Sequence, residues 1–185
     1  MMTSSPGCIA GESSTPRWLV PKVTLLFSGS AHGAVTAAAR TLADEHGVSC
    51  DVWSATSYKV LREDALAAER QNRLAPGRTS RPSRVGAALR DSTAPIVAVT
   101  DFMKIVPEQV ARFVPGRRFV PLGTDGMGRS DTREALRAHF EIDSANVVVA
   151  ALAALAADGT IPDAVVRSAI EAHGLDPERV DPYVV

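Results

Sequence analysis

Short apolar runs alternate along this chain with longer segments whose apolar residues recur three and four positions apart. Val23-Thr24-Leu25-Leu26-Phe27 is nearly continuous in apolar character, the mark of a strand buried on both faces. It runs into Ser28-Gly29-Ser30, and the alanine-rich stretch from Ala34 to Glu45 then predicts a helix stopped by Gly47. Ser49 to Ala55 predicts a second strand. From Ser57 to Leu74, the positions Leu61, Ala65, Ala68 and Asn72 line one face, opposite Arg62, Glu63, Glu69 and Arg70, as in an amphipathic helix. Pro76 to Pro82 breaks that pattern, and Val85 to Arg90 has the length of a short helix. Pro95 to Thr100 predicts a third strand. Pro107 opens a short helix as a first-position proline, Pro115-Gly116 ends it, and Arg118 to Leu122 predicts a fourth strand.

The fourth strand leads into the stretch around which the chain is organised, Gly123-Thr124-Asp125-Gly126-Met127-Gly128-Arg129-Ser130-Asp131. Its three glycines leave the backbone free to adopt positive φ and to approach another surface closely. Asp131 with Glu134 three residues on reads as a helix N-cap with its capping-box partner. The result is a strand–loop–helix corner with amide groups and Arg129 facing outward, suited to hold an anion or another domain. Asp143 or Ser144 caps a following helix, Ala145 to Ala157, which is apolar almost all round and therefore buried. Pro162 opens a last helix that Gly174 closes, and the apolar end Tyr183-Val184-Val185 is expected to pack back on the body.

Strands alternating with helices imply an α/β fold, a three-layer αβα sandwich around a mostly parallel sheet. Residues 1–22, rich in Ser, Gly and Pro, read as a disordered or loosely attached arm, and residues 23–185 as one domain. Apolar residues make up 45% of the 185 and the formal charge is −1, which fits a soluble globular chain and disfavours nucleic acid as a partner. The basic residues Arg78, Arg81, Arg84, Arg117 and Arg118 are not interleaved with aromatics and read as a solvated face. Cys8 and Cys50 lie far apart, consistent with reduced thiols in the cytoplasm. The run from Val147 to Ala157 is too short to cross a membrane, and the first residues lack the pattern of a signal peptide.

In a parallel sheet, ligands gather outside the carboxyl ends of the strands. Three polar clusters leave those ends: Ser54 to Ser57, Thr100-Asp101, and Thr124 to Asp131. A site of the chain's own would use Asp101, Asp125 and Arg129, with His32 as proton carrier. The competing reading makes Asp101 and Asp125 turn-holding residues and Ser130 and Asp131 helix caps. Ser28-Gly29-Ser30-Ala31-His32-Gly33 lacks the middle glycine of a dinucleotide fingerprint and reads as a tight strand-to-helix turn. His46 suits a helix C-terminus, and His139 and His173 read as surface or packing residues. No histidine pair has metal-ligand spacing, and no serine elbow or P-loop occurs.

Five ordered segments carry a resemblance. Leu122-Gly123-Thr124-Asp125-Gly126-Met127-Gly128-Arg129-Ser130-Asp131-Thr132-Arg133, Asp51-Val52-Trp53-Ser54-Ala55-Thr56-Ser57, Thr100-Asp101-Phe102-Met103-Lys104, His139-Phe140-Glu141-Ile142-Asp143 and Val147 to Leu152 resemble the C-terminal domain of the homodimeric pyruvate dehydrogenase E1 components. These belong to the transketolase-like, thiamine-diphosphate-dependent enzymes. The chain departs from that family at Met127, usually Phe, at Phe27-Ser28-Gly29, usually Gly-Ser-Gly, and near Val85, where an aromatic is usual.

The resemblance implies a part of an enzyme that oxidatively decarboxylates pyruvate and acetylates the lipoyl group of its dihydrolipoyl acetyltransferase partner, E2. Thiamine diphosphate and Mg²⁺ would belong to the N-terminal and middle domains of E1. Their Gly-Asp-Gly and paired-asparagine signature is missing here, where Asp125 follows Thr124 and the asparagines are Asn72 and Asn146. The chain by itself is therefore expected to bind no cofactor or metal and to be inactive. Its partners would be those two domains and the E1 homodimer, with E2 reached indirectly. Thr124, Asp125, Gly126, Gly128, Arg129, Ser130 and Asp131 form the candidate interface or anion loop, with Ser57 and Asp101 as secondary candidates. The alternatives are a stand-alone small-ligand or regulatory module using the strand-end loops, and an autonomous enzyme, which the missing signatures disfavour.

Overall fold

The computed structural model describes residues 2–4 and 20–184. Its sheet has five strands: β1 (Met2–Ser4), β2 (Lys22–Phe27), β3 (Ser49–Ala55), β4 (Ile96–Val99) and β5 (Phe119–Leu122), ordered β1-β3-β2-β4-β5. The last four in sequence are mutually parallel, and β1 pairs antiparallel with β3 through Met2 opposite Ala55 and Ser4 opposite Trp53. Three residues of the expected N-terminal arm thus form an edge strand, and Lys22 begins β2. A three-residue pairing carries no sequence periodicity; it forms because the outer edge of β3 offers free backbone groups. Residues 1 and 5–19 of that arm, including Trp18-Leu19, lie outside the described residues.

Central position explains composition. From Val23 to Phe27, and throughout Ile96-Val97-Ala98-Val99, every residue of β2 and β4 is buried. Pro121 sits opposite Ala98 in β5, which pairs only with β4, so its missing N–H costs no ladder bond on the open side.

The helices are α1 (His32–His46), α2 (Tyr58–Leu74), α3 (Arg84–Leu89), α4 (Ile105–Glu108), α5 (Arg133–His139), α6 (Ser144–Ala157) and α7 (Asp163–Ala172). Two apolar cores lie on opposite sheet faces. One joins Val23, Leu25, Val97 and Val99 to Val35 and Leu42 of α1 and to Val148, Leu152 and Leu155 of α6. The other joins Leu26, Ile96 and Ala98 to Tyr58 and Leu61 of α2, Val85 and Leu89 of α3, and Val110. These are the three layers of an αβα sandwich. Full burial of each such Leu or Val contributes about 1.5–3 kcal/mol.

Ends and turns account for the departures from the sequence reading. Pro107 is the third residue of α4 rather than its first, which a proline tolerates because first-turn amides have no partner within the helix. Ser57, not part of α2, caps it by accepting from the Val60 amide at 3.3 Å. α5 ends without glycine: Glu141 takes φ 57, and the Ile142 amide reaches back to the Arg137 carbonyl at 2.9 Å, closing the helix as a Schellman turn. That turn also separates α5 from α6 within 133–157, a stretch long and apolar enough for a membrane helix by length and hydropathy alone; α6 instead fills the core. At the C-terminal end, Pro182 is buried while Tyr183 and Val184 are exposed, so the proline does the docking expected of those two side chains; Val185 lies outside the described residues.

Candidate functional site

The chain leaves β2 for β3 on one side and returns to β4 on the other, so β2 and β4 part company at their carboxyl ends. In sheets of this kind that crevice is the usual ligand position. Here the protein closes it with its own groups. Ser28 donates its amide to the Val99 carbonyl at 3.1 Å, and its buried hydroxyl donates to Thr100 Oγ1 at 2.8 Å. Just above, the Asp101 carboxylate accepts from the Ser30 hydroxyl at 3.0 Å and from its amide at 3.4 Å. Gly29, at φ 55, leaves room for it: a Cβ there would lie 2.9 Å from Asp101 Oδ1. From α5, Arg137 Nη2 donates to the Ser30 carbonyl at 2.7 Å.

The glycine-rich loop is fastened to the segment that follows β4. Thr124 donates its amide to the Phe102 carbonyl at 2.9 Å and its hydroxyl to the Asp101 carbonyl at 3.0 Å. Gly123 lies so close that a Cβ would come 2.5 Å from the Phe102 carbonyl oxygen. Asp125, almost fully buried, accepts from the Lys104 amide at 3.2 Å and has the Lys104 ammonium 3.9 Å away. Gly126 adopts φ 100 beneath the Pro182 carbonyl, where a Cβ would be 2.2 Å from the oxygen. No other residue fits either position without the backbone moving.

Past Gly126 the loop leaves the body. Gly128, Arg129, Ser130 and Asp131 are exposed. Arg129 has no hydrogen bond or ion pair among the described residues. Met127, Phe102, Met103 and Ile105 are each more than half exposed, and the ties between 101–104 and 123–126 bring their two segments together.

Of the residues singled out in the sequence, Asp101, Thr124, Asp125 and Gly126 meet in one cluster, while Gly128, Arg129, Ser130 and Asp131 project from it. Ser57 stays at the start of α2. His32 opens α1, exposed, with its ring edge-on to Phe27 at 5.1 Å between centroids. Asp131 is not the cap of α5. Thr132 is, its hydroxyl accepting from the Ala135 amide at 3.2 Å, while Asp131 accepts from the Thr132 amide at 2.7 Å. Both residues are good caps; the one whose oxygen meets the third helical amide wins, and this shift places Glu134 one position short of a capping box. His139, the last residue of α5, lies with Nδ1 3.4 Å from Arg179 Nη2. Its burial, then the charges of Arg129 and Arg179, hold its imidazole below the ordinary pKa. Phe102, Met103 and Lys104 stood in the sequence only within a segment of resemblance, and Arg137 and Pro182 were not singled out; none was a candidate site residue, and only the apolar pair Phe102-Met103 directly after a strand end could have signalled a surface.

Chemically, this arrangement clamps segments together and presents a mixed apolar and cationic surface. The donor set does not fit a magnesium-bound diphosphate: both strand-end carboxylates are taken by amide or hydroxyl donors, and no group of three or more His, Cys, Asp or Glu side chains among the described residues could hold a metal ion.

Comparison with known proteins agrees with this architecture. The family model described as the transketolase-like TK C-terminal domain matches residues 13–143. Among curated relatives, the chain is 46% identical over 160 residues, 86% of its length, to the pyruvate dehydrogenase E1 component of Pseudomonas aeruginosa. It is 47% identical over 161 residues, or 87%, to that of Escherichia coli K12. To that of Mycobacterium tuberculosis it is 43% identical over 155 residues, or 84%. The matched part is 18% of the first two relatives and 17% of the third, so this chain spans under a fifth of their length. With the family model covering well over half of its residues, the chain belongs to the transketolase-like C-terminal domain family.

Proposed function

We propose that this chain serves as the C-terminal domain of a pyruvate dehydrogenase E1-type enzyme and that its own role is assembly. In that enzyme, thiamine diphosphate and Mg²⁺ are held by the N-terminal and middle domains, which decarboxylate pyruvate and pass the acetyl group to the lipoyl group of E2. The glycine-rich loop and the neighbouring segment dock on those domains and help hold the E1 dimer. One observation carries the reading: Phe102, Met103 and Ile105 are exposed on the segment to which the loop is tied through Thr124 and Asp125, and beyond Gly126 that loop carries the exposed Met127 and Arg129, the latter without a hydrogen bond or ion pair among the described residues. A tied-down base under an exposed apolar surface that also carries cationic side chains suits a partner protein better than a small substrate.

Reconstitution tests this. The purified chain is mixed with a relative's E1 component cut back to its N-terminal and middle domains, and association and acetyl transfer to lipoyl E2 are followed. The two parts should associate, and activity should rise. Met127→Ser with Arg129→Ala should weaken association by about tenfold, the loss of one or two modest contacts. Failure to associate, or equal binding by the double variant, would remove the loop from the interface.

A further inference from the structure

At the other end of the sheet, on the face shared with α2 and α3, lies a pocket of about 180 Å³. Thr24 of β2 and Trp53 of β3 form its floor, and Lys22, Asp51, Leu89 of α3 and Arg117 its walls. It shares no residue with the strand-end cluster.

Arg117 is the telling group. Its Nε donates to the Ala94 carbonyl at 2.6 Å, Nη1 to the Leu89 carbonyl at 3.0 Å, and Nη2 to Thr24 Oγ1 at 2.6 Å. These acceptors are all neutral. Among the described residues no carboxylate lies within ion-pair distance of it, and Asp51 is taken by Lys22 at 2.7 Å. The guanidinium is partly withdrawn from water, which lowers its pKa from the ordinary value, while Asp51 pulls the other way. A desolvated cation without a counter-ion is unfavourable, and three committed donors of the five on a guanidinium leave two for an oxyanion. Across the pocket, the half-buried Trp53 offers an aromatic face and an indole N–H with no acceptor among the described residues. The volume equals roughly six water molecules at about 30 Å³ each. That is below the roughly 300 Å³ at which pockets for cofactors and drug-sized ligands begin, so a nucleotide is too large and a small acid is not.

We propose that this pocket binds a small planar carboxylate, its oxygens on Arg117 and its apolar body against Trp53 and Leu89. The fixed guanidinium sets orientation; the Lys22–Asp51 pair cancels in charge, and Asp91, the other carboxylate on the lining, is turned to solvent and paired with Arg90 at 3.4 Å.

The test uses the full chain with Trp18→Phe, so that Trp53 alone reports by fluorescence and by its indole N–H resonance. Benzoate is the probe, benzyl alcohol its neutral counterpart, and inorganic phosphate an anion without an apolar body. Benzoate at millimolar concentration should quench Trp53 saturably and move its indole signal. Benzyl alcohol and phosphate should each bind at least about tenfold more weakly, the worth of one charge-assisted hydrogen bond or one stacked ring. Arg117→Gln should abolish benzoate binding. Because that change also removes three internal hydrogen bonds and can unfold the domain, Asp51→Asn at the half-exposed pair is the second variant. By freeing the Lys22 ammonium it should tighten benzoate severalfold. Benzyl alcohol or phosphate binding as tightly as benzoate, no saturable change at Trp53, or weaker benzoate binding in Asp51→Asn would overturn the proposal.

Discussion

At the residue scale, one position decides where α5 starts. Because the Thr132 hydroxyl meets the Ala135 amide, Thr132→Ala should cost about 1 kcal/mol in urea denaturation, as loss of a cap does. Asp131→Ala should cost less, about 0.3–0.5 kcal/mol, since its carboxylate adds only favourable charge near the helix start. The opposite order would return the cap to Asp131. Tyr58 presents a second single-atom question. It is buried in the α2 core, its hydroxyl has no partner among the described residues, and burial pushes its pKa far above the usual phenol value. Tyr58→Phe should therefore raise stability by about 1 kcal/mol, the penalty of an unmade bond relieved. A loss of stability on the same measurement would mean that the hydroxyl is satisfied.

At the element scale, Asp64 ties α2 to the loop and helix that follow it. It accepts from the Arg84 amide at 2.7 Å and pairs with the Arg81 and Arg84 guanidinium groups, while Asn72 exchanges two hydrogen bonds with the Arg81 backbone. Burial pushes the Asp64 carboxyl upward, but the Arg84 amide and the two guanidinium groups outweigh it and hold the carboxyl below the usual range. A folded pKa below the unfolded one means stability that is complete above about pH 4 and is lost as the pH falls through the folded value. Asp64→Asn should accordingly lower stability at pH 7 by about 1–2 kcal/mol, and the gap to the parent should shrink as urea melts are repeated towards pH 3. A gap that does not change with pH would make the loss one of shape and not of charge. Elements like α2 and β3 were legible in the sequence because each carries its own apolar period, and α6 because its apolar run is long and capped. The clamp of 101–104 on 123–126 was not, since it depends on which strands become neighbours. Arg117 and Arg118 make the same point: adjacent and alike in sequence, one runs beneath the sheet to Thr24 and the other pairs with Asp158 at the surface.

Across the whole molecule, the α/β alternation visible in the chain translated into the observed layers, and the strand-end loop stood out by its glycines. The surface around it could not be read from pattern, because exposed Phe102, Met103 and Ile105 look like core residues until the fold leaves them outside. Such a surface favours self-association when its partner is missing. The isolated chain should form reversible dimers or larger species in sedimentation velocity and bind an apolar dye. Phe102→Ser with Met127→Ser should return it to a dye-free monomer, with urea stability changed by no more than about 0.5 kcal/mol. A parent chain that is already a dye-free monomer would contradict this.

The two cores also differ in when they can be completed. The face packed by α2 and α3 draws on residues ending at Phe119, whereas the opposite face waits for Val147 to Leu155 of α6. A ribosome adds about 5–20 residues per second, so the roughly thirty residues from Leu122 to Leu155 take on the order of a few seconds. During that interval Val23, Leu25, Val97 and Val99 have α1 over them but not α6. A nascent chain paused between β5 and α6 would present a half-covered sheet, the kind of surface that chaperones recognise, and a synonymous slow codon placed there should lower soluble yield more than the same codon placed after α6.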